Sequence, residues 1–205
     1  MQYGMVIDLK KCIGCHSCAT SCKLANNLPI GIWWNKVTTE GGTTIDTAAG
    51  SYPNCTLRHY PIACQHCKAP ACVAVCPVDA TYKDEETGLV VQDNEACIGC
   101  KICMEACPYD ARVFNGDNPA YTLDFVVGNE KVEPHLENVV EKCTMCQALI
   151  EEGVEPMCVQ ACIGYARHFG DLDDPASEVS QLIAARENLQ LLAEQGTGPS
   201  VYYLK

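Results

Sequence analysis

Residues 97–108 constrain the fold more than any other part of this chain. They read Cys-Ile-Gly-Cys-Lys-Ile-Cys-Met-Glu-Ala-Cys-Pro, which places four thiols at spacings of two, two and three residues before a proline. In a run with this spacing, three thiolates bind one iron-sulfur cluster and the fourth binds another. The run therefore predicts a second group of cysteines elsewhere in the chain.

Three more such groups are present. The four quartets are Cys12, Cys15, Cys18 and Cys22; Cys64, Cys67, Cys72 and Cys76; Cys97, Cys100, Cys103 and Cys107; and Cys143, Cys146, Cys158 and Cys162. Of the 17 cysteines only Cys55 is left over, and we interpret it as a free thiol. Tight grouping favours metal ligation over a disulfide framework, whose cysteines pair at irregular separations.

Two other metal cofactors compete with the iron-sulfur interpretation. Residues 64–67 and 143–146 each have the C-x2-C form of half a zinc site, but zinc leaves the last two cysteines of quartets one and three unexplained. Residues 12–16 match the c-type haem signature, although Cys18 and Cys22 complete a quartet around them. Since His66 and His168 lie close to cysteines in sequence, either one could also hydrogen-bond a cluster sulfur.

The residues that follow three of the quartets also repeat. Ala80, Ala111 and Ala166 stand at the same offset from the last cysteine, and a strand-like run follows each. Quartets two and three, with a hairpin over residues 80–92, make one compact unit, which leaves quartets one and four to pair with each other. We therefore predict an α+β fold of two interleaved bacterial-ferredoxin-like units, one split and one inserted in it.

The boundaries predicted from these motifs divide the chain into five parts. They are a split unit over 1–28 and 136–170, an inserted unit over 61–115, loop excursions at 29–60 and 116–135, and a C-terminal helix and strand extension over 171–205. The first excursion is expected to be irregular and residues 121–127 to form a strand. Residues 5–8 are expected to form an opening strand. In the extension we expect a helix with Asp174 as N-cap, Pro175 at its first position and Val179, Leu182 and Ile183 on one face, then a strand at 200–204.

Charge and composition restrict the partners. The formal net charge is −12, and four clusters at about −2 each would bring it to roughly −20. Such a surface repels nucleic acid and anionic lipid, so the expected partners are proteins. With only 3 Phe and 2 Trp, the core is poor in large side chains, and cluster binding would add to the folding free energy.

Other patterns are missing from the sequence. No run approaches the roughly 20 apolar residues that span a bilayer, and no signal peptide opens the chain, so we expect neither membrane insertion nor an export signal of its own. There is also no nucleotide-binding glycine loop, serine elbow or zinc-protease motif. Redox cofactors without a substrate site indicate electron transfer, not catalysis.

These motifs resemble the iron-sulfur subunit of the dimethyl sulfoxide reductase family of molybdopterin enzymes. The resemblance rests on the order of the quartets and on residues 141–146, 169–175 and 196–203. The opening strand, first quartet and tail are especially similar to the small subunits of arsenate, thiosulfate, polysulfide and tetrathionate reductases. A free-standing polyferredoxin and a zinc scaffold stay open as alternatives.

The resemblance implies a wire of four 4Fe-4S clusters in anaerobic respiration. It would relay electrons between a large catalytic subunit with molybdenum or tungsten pterin and a membrane anchor or soluble redox partner. The compartment would be the cytoplasm, or the outer side of the membrane if a partner with a twin-arginine signal carries the chain across.

The resemblance also implies which cysteines share a cluster. The implied sets are Cys12, Cys15, Cys18 and Cys162; Cys143, Cys146, Cys158 and Cys22; Cys64, Cys67, Cys72 and Cys107; and Cys97, Cys100, Cys103 and Cys76. The first set would lie next to the catalytic subunit.

We predict four-iron clusters throughout. Nitrate reductase relatives replace the second ligand of the third quartet with Trp and hold a three-iron cluster there, whereas Cys100 is intact in this chain. The oxidised, undamaged protein should therefore give no strong three-iron signal in its EPR spectrum. A strong signal of that kind would contradict the prediction.

Overall fold

A computed structural model describes residues 1–41, 46–121, 123–132 and 134–205 as a mixed α/β chain with small sheets. The strands are β1 (Tyr3–Asp8), β2 (Lys36–Thr39), β3 (Ala49–Ser51), β4 (Asn54–Thr56), β5 (His59–Ile62), β6 (Thr81–Lys83), β7 (Val90–Gln92), β8 (Arg112–Asn115), β9 (Val139–Lys142), β10 (Arg167–Asp171), β11 (Asn188–Leu189) and β12 (Val201–Leu204). The helices are α1 (Ser17–Ala25), α2 (Ala71–Ala74), α3 (Ile102–Glu105), α4 (Gln147–Ile150), α5 (Met157–Gln160) and α6 (Glu178–Ala185), with a 3₁₀ turn at Ala193–Gln195. Among the described residues, no helix has the length and apolar character needed to cross a membrane.

The largest sheet joins the two ends of the chain. Its strand order is β10-β1-β12-β11, with β1 antiparallel to β10 and parallel to β12. The apolar run of β1 explains its central place: Val6 and Ile7 are fully buried, and Val6 packs with Val179 of α6 and Leu204 of β12. A strand buried on both faces is expected to be apolar throughout.

The repeat predicted after three quartets is present in the backbone. The chain enters β6, β8 and β10 shortly after Cys76, Cys107 and Cys162. The residue before each repeated alanine has a positive φ, at Asp79, Asp110 and Tyr165. All three alanines that follow are buried, namely Ala80, Ala111 and Ala166. The predicted hairpin is confirmed as the β6–β7 pair, and β8 pairs with β9 in the same antiparallel way.

Two loop expectations differ from the structure. In its described part the excursion at 29–60 is not irregular, because β2 pairs with β5, placing Val37 opposite Pro61, and β3 pairs with β4. Residues 121–127 form no strand in their described part, and Thr122 lies outside the described residues. A strand needs a neighbouring strand to pair with its backbone groups. Over its described residues this run does not pack into a sheet, and Leu123, Phe125 and Val126 are exposed.

The C-terminal helix begins later than predicted. Its N-cap is Ser177, whose hydroxyl accepts the N–H of Ser180 at 3.3 Å. Asp174 instead accepts the N–H of Ala176 at 2.8 Å, in the turn before the helix. The predicted apolar face is confirmed, with Val179 buried against β1, and the last strand is β12.

A buried ion pair ties the second excursion to β9, and a hydrogen bond ties it to the residue that follows α1. His135 donates from Nδ1 to Glu141 at 2.8 Å and from Nε2 to the carbonyl of Asn26 at 2.8 Å. The side chains of His135 and Glu141 are only 3% and 1% exposed. Burial disfavours a charged imidazole, but the hydrogen bond to Glu141, the charge of Glu141 and the hydrogen bond to Asn26 together outweigh it and raise the pKa of His135 above its ordinary value.

We therefore expect the stabilisation from this pair to decrease as pH rises. A group whose pKa is raised by folding gives its full stabilisation of the folded state below its unfolded pKa, which is about 6.5 for histidine. That stabilisation is lost as the pH rises through the folded pKa. At pH 6, His135→Gln should lower Tm by roughly 5 °C, for the loss of about 2 kcal/mol. Thermal melts of both proteins from pH 6 to 9 test this, since the difference in Tm should shrink with pH; a constant difference would contradict it.

Candidate metal centres

The structure gathers sixteen cysteines around four cavities. The first cavity is lined by Cys12, Cys15, Cys18 and Cys162; the second by Cys22, Cys143, Cys146 and Cys158; the third by Cys64, Cys67, Cys72 and Cys107; and the fourth by Cys76, Cys97, Cys100 and Cys103. Each cavity thus takes three cysteines from one quartet and a fourth from another, and Cys64 of the third cavity also lines the second. These are the same sets of four that the family resemblance implies.

Two pairs of short helices produce this exchange. In α1, Cys18 and Cys22 are four residues apart and therefore lie on one helical face, one turn from each other. Cys18 lines the first cavity and Cys22 the second. Helix α5 packs against α1 and supplies Cys158 to the second cavity, while Cys162 follows it and lines the first.

Helices α2 and α3 repeat the arrangement at the other two cavities. Cys72 and Cys107 line the third cavity, and Cys76 and Cys103 line the fourth. The two helices pack against each other, as α1 and α5 do. Each helix pair therefore separates two neighbouring cavities and presents thiols to both.

The cysteine loops depend on glycine at two equivalent places. Gly14 and Gly99 have φ of 68° and 64°, a region that side chains other than glycine rarely adopt. A Cβ would lie 2.3 Å from the ring of His59 at Gly14, and 2.1 Å from the carbonyl oxygen of Asn138 at Gly99. Both loops therefore need a residue without a side chain in order to wrap their thiols around a cavity.

The thiols differ in how readily they ionise. Burial raises the pKa of Cys67 and Cys158 to about 11, and that of Cys143 still further. Burial also opposes ionisation of Cys64, but the neighbouring His66 and Lys142 outweigh it and lower its pKa to about 5. Thiols with raised pKa values keep their protons at neutral pH unless a bound metal displaces them.

The cavity linings fit iron-sulfur clusters. No carboxylate lines any of the four among the described residues, and soft thiolates are the ligands that such clusters take. Across the described chain, no three His, Cys, Asp or Glu side chains come close enough together to hold a single metal ion. Thiols spaced around a cavity suit a cofactor of several atoms better than one zinc ion.

Unpartnered donors provide a second observation in favour of a cluster. The side chain of His66 is fully buried, and its Nδ1 accepts the N–H of Val90 at 3.1 Å, so the proton of the neutral ring lies on Nε2. Nε2 of His66, Nε1 of Trp34 and Nη2 of Arg112 have no oxygen or nitrogen as hydrogen-bond partner in the described structure. Trp34 lines the second cavity and Arg112 the third. Cluster sulfurs would accept from such donors.

The structure separates the two histidines considered from sequence. His66 interacts with Cys64 beside the third cavity. His168 instead places Nδ1 2.9 Å from the carboxylate of Glu178 on α6, so its ring is engaged away from the cavities. Proximity in sequence is therefore a poor guide to contact with a cavity.

Sequence reasoning missed three basic residues in the interior, Arg112, Lys142 and Arg167. Nη1 of Arg112 lies 3.4 Å from Sγ of Cys103, and Nη1 of Arg167 lies 3.4 Å from Sγ of Cys158. The sequence did contain a pattern that marks the two arginines. Each directly follows a repeated alanine and stands nine residues after the cysteine that it contacts. Lys142 had no such signal.

Comparison with known proteins gives consistent matches over nearly the whole chain. A family model for a 4Fe-4S dicluster domain matches residues 55–122 and 129–172, and a 4Fe-4S binding domain model matches residues 9–26. These ranges contain all four quartets.

Similar curated proteins come from several reductases. The chain is 48% identical to the putative iron-sulfur subunit of a dimethyl sulfoxide reductase from Halobacterium salinarum, over 99% of this chain and 79% of that protein. It is 39% identical to an arsenate respiratory reductase iron-sulfur subunit of a Shewanella species, over 100% and 97% of the two chains. It is 41% identical to one subunit of the selenate reductase of Mesobacillus selenatarsenatis, over 100% of this chain and 72% of that protein.

Because cysteines of one quartet line different cavities, substitutions at two cysteines of the same quartet should affect different clusters. Cys107 lines the third cavity, whereas Cys100 lines the fourth. Cys107→Ser and Cys100→Ser should therefore perturb different clusters, which EPR-monitored redox titration would resolve. Cys55→Ser, at an exposed thiol outside the four cavities, is the control and should leave every signal intact. Loss of the same signal in both variants would refute the assignment.

Proposed function

Because this chain belongs to the family of 4Fe-4S iron-sulfur subunits of dimethyl sulfoxide, arsenate and selenate reductases, we propose that it relays electrons between a catalytic subunit and a second redox partner. The observation that carries this proposal is the arrangement of four cysteine-lined cavities in one small chain. When bound, iron-sulfur clusters supply one-electron chemistry. The part of the protein is to hold them, separate them and adjust their potentials.

The proposed cofactors are four 4Fe-4S clusters, one in each cavity, with the sixteen lining cysteines as ligands. Clusters one and two would share the α1–α5 pair, within residues 1–28 and 136–170. Clusters three and four would share the α2–α3 pair, within 61–115. This division supports the interleaved ferredoxin-like arrangement, with 29–60 and 116–135 as excursions and 171–205 as an extension.

The cavities follow one another in a single order. The α1–α5 pair links the first to the second and the α2–α3 pair links the third to the fourth. Cys64 links the middle two, since it lines both the second and the third cavity. An electron would therefore pass through clusters one, two, three and four in sequence, or in the reverse sequence.

The two ends of this order are accessible. Cys15 at the first cavity and Cys100 at the fourth are exposed, whereas Cys143, Cys64 and the other thiols of the middle cavities are buried or half-buried. Exposed isoleucines stand beside both ends, Ile13 at the first cavity and Ile98 at the fourth. Exposed apolar side chains beside a redox centre suit the docking of protein partners.

We assign the partners from the family. The first cavity would face a large molybdopterin-containing catalytic subunit, and the fourth would face a membrane anchor or a soluble redox protein. The net charge of −12 favours protein partners over nucleic acid. Export, where it occurs, would depend on a twin-arginine signal of the catalytic partner.

Anaerobic purification tests the proposal. We expect the chain to copurify with a large pterin-containing subunit and to contain four clusters, measured as sixteen iron and sixteen acid-labile sulfide per chain. A colourless protein with zinc would refute the cofactors. A chain with four clusters that purifies alone, from cells that make the complex, would refute the partner and favour a free-standing polyferredoxin.

A further inference from the structure

Three cations are buried without a carboxylate partner. Arg112, Lys142 and Arg167 are 3%, 1% and 5% exposed. Within the described residues, none of them has an Asp or Glu oxygen within 4 Å. A buried charge is costly unless an opposite charge accompanies it. The interior must therefore supply negative charge from another source.

Arg167 lies between the first and second cavities and lines both. Its Nη1 is 3.4 Å from Sγ of Cys158, a thiol of the second cavity, and its Nη2 donates to Oδ1 of Asn35 at 3.2 Å. It also interacts electrostatically with Cys18 of the first cavity. The guanidinium is thus shared by two cysteine sets.

Arg112 occupies the equivalent place between the third and fourth cavities. It lines the third cavity, and its Nη1 lies 3.4 Å from Sγ of Cys103 in the fourth. The same Nη1 donates to the neutral oxygens of Thr81 and Gln92, at 3.2 and 2.9 Å, while Nη2 has no oxygen or nitrogen as partner in the described structure. Among the described residues, the guanidinium is therefore surrounded only by neutral oxygens and by thiols that line the cavities.

Lys142 lines neither the second nor the third cavity, but it hydrogen-bonds one residue that lines each of them. Its Nζ donates to the carbonyl oxygens of Val90 and Cys143, both neutral acceptors. It interacts electrostatically with Cys143 of the second cavity and Cys64 of the third. The three cations therefore occupy the three junctions between successive cavities.

The register of β8 and β9 makes the need for negative charge sharper. Arg112 and Lys142 stand directly opposite each other in this antiparallel pair. Like charges in opposite positions destabilise a sheet, and burial strengthens their repulsion. Anions on both sides of the pair remove that conflict.

We propose that Arg167, Lys142 and Arg112 are the counter-charges of the relay, one at each junction, and that each raises the reduction potentials of the two clusters it borders. This inference rests on the proposed function. Reduction adds one electron to a cluster and no proton is required. A fixed cation nearby stabilises the added negative charge, and it also weakens the repulsion between electrons on neighbouring clusters. Net charge and hydrogen bonds to sulfur are known determinants of cluster potential.

The test removes one charge at a time from the cluster-loaded protein. Arg167→Gln, Lys142→Met and Arg112→Gln are compared with the unsubstituted chain by EPR-monitored redox titration. We expect the oxidised-to-reduced ratio of the two bordering clusters to rise at least tenfold at a given potential, which is about 59 mV for a one-electron couple. For the two distant clusters this ratio should change less than threefold.

Lys205→Gln is the matched control. It removes one positive charge at an exposed residue whose Nζ pairs with Glu187 at 2.9 Å, where solvent and salt screen the change. The inference is overturned if the reduction potentials of the bordering clusters do not change in the charge-removing variants, or if Lys205→Gln changes them equally. Arg167→Lys and Arg112→Lys keep the positive charge. In these variants the oxidised-to-reduced ratio of the bordering clusters should stay within threefold of that in the unsubstituted protein.

Cluster content decides the remaining outcomes. If Arg167→Gln or Arg112→Gln loses a cluster, retention of all four in the matching lysine variant supports the inference, and loss in both overturns it. For Lys142→Met the charge-keeping variant is Lys142→Arg, and the same two outcomes apply. Iron and sulfide analysis of the unsubstituted chain separates the two proposals. Fewer than four clusters there would refute the proposed function, whereas four clusters with unmoved potentials would refute only the counter-charges.

Discussion

The convergence of four thiols on each cavity is the constraint on which the rest of the structure depends. Cys22 meets Cys143, and Cys18 meets Cys162, across more than half of the chain. Closing loops of that length costs conformational entropy, and few large apolar side chains are available to offset it. Several cysteines themselves belong to the buried apolar clusters, such as Cys18 and Cys158 beside Ile7 and Tyr203. Core and metal centre are therefore the same region of the molecule.

The C-terminal extension shows how a segment without cysteines supports that region. Strand β12 lies beside β1, and the residues before it fold over the loop of the second quartet. Ser200 donates two hydrogen bonds there, from its N–H to the carbonyl of Gln65 and from its hydroxyl to the carbonyl of His66, both at 2.8 Å. Thr197 lines the third cavity and hydrogen-bonds the hydroxyl of Tyr109 at 2.5 Å. The tail thus joins the sheet of the first cavity to the loops of the third.

Charge is distributed unevenly between the interior and the surface. The chain is acidic overall, yet Arg112, Lys142 and Arg167 are all buried, and each lies next to thiols of two cavities. Anionic clusters provide the physical reason for burying cations that no carboxylate accompanies. The interior is in this way adapted to hold and move negative charge, while the acidic exterior limits which surfaces can approach.

The sequence by itself determined the class of cofactor, because thiol spacing within a quartet is local and a loop of that length reaches only one cluster face. It also predicted β1, the β6–β7 hairpin, the repeat after three quartets and the apolar face of α6, all of which depend on neighbouring residues. The partition of cysteines among cavities came only from family resemblance, and the structure places the same sets together. Only the tertiary structure decided the strands of the first excursion, the exposed conformation of residues 123–127 and the positions of the three buried cations. Those features depend on which segment lies opposite, as Lys142 does to Arg112, and such pairing across the chain leaves no periodic trace in the sequence.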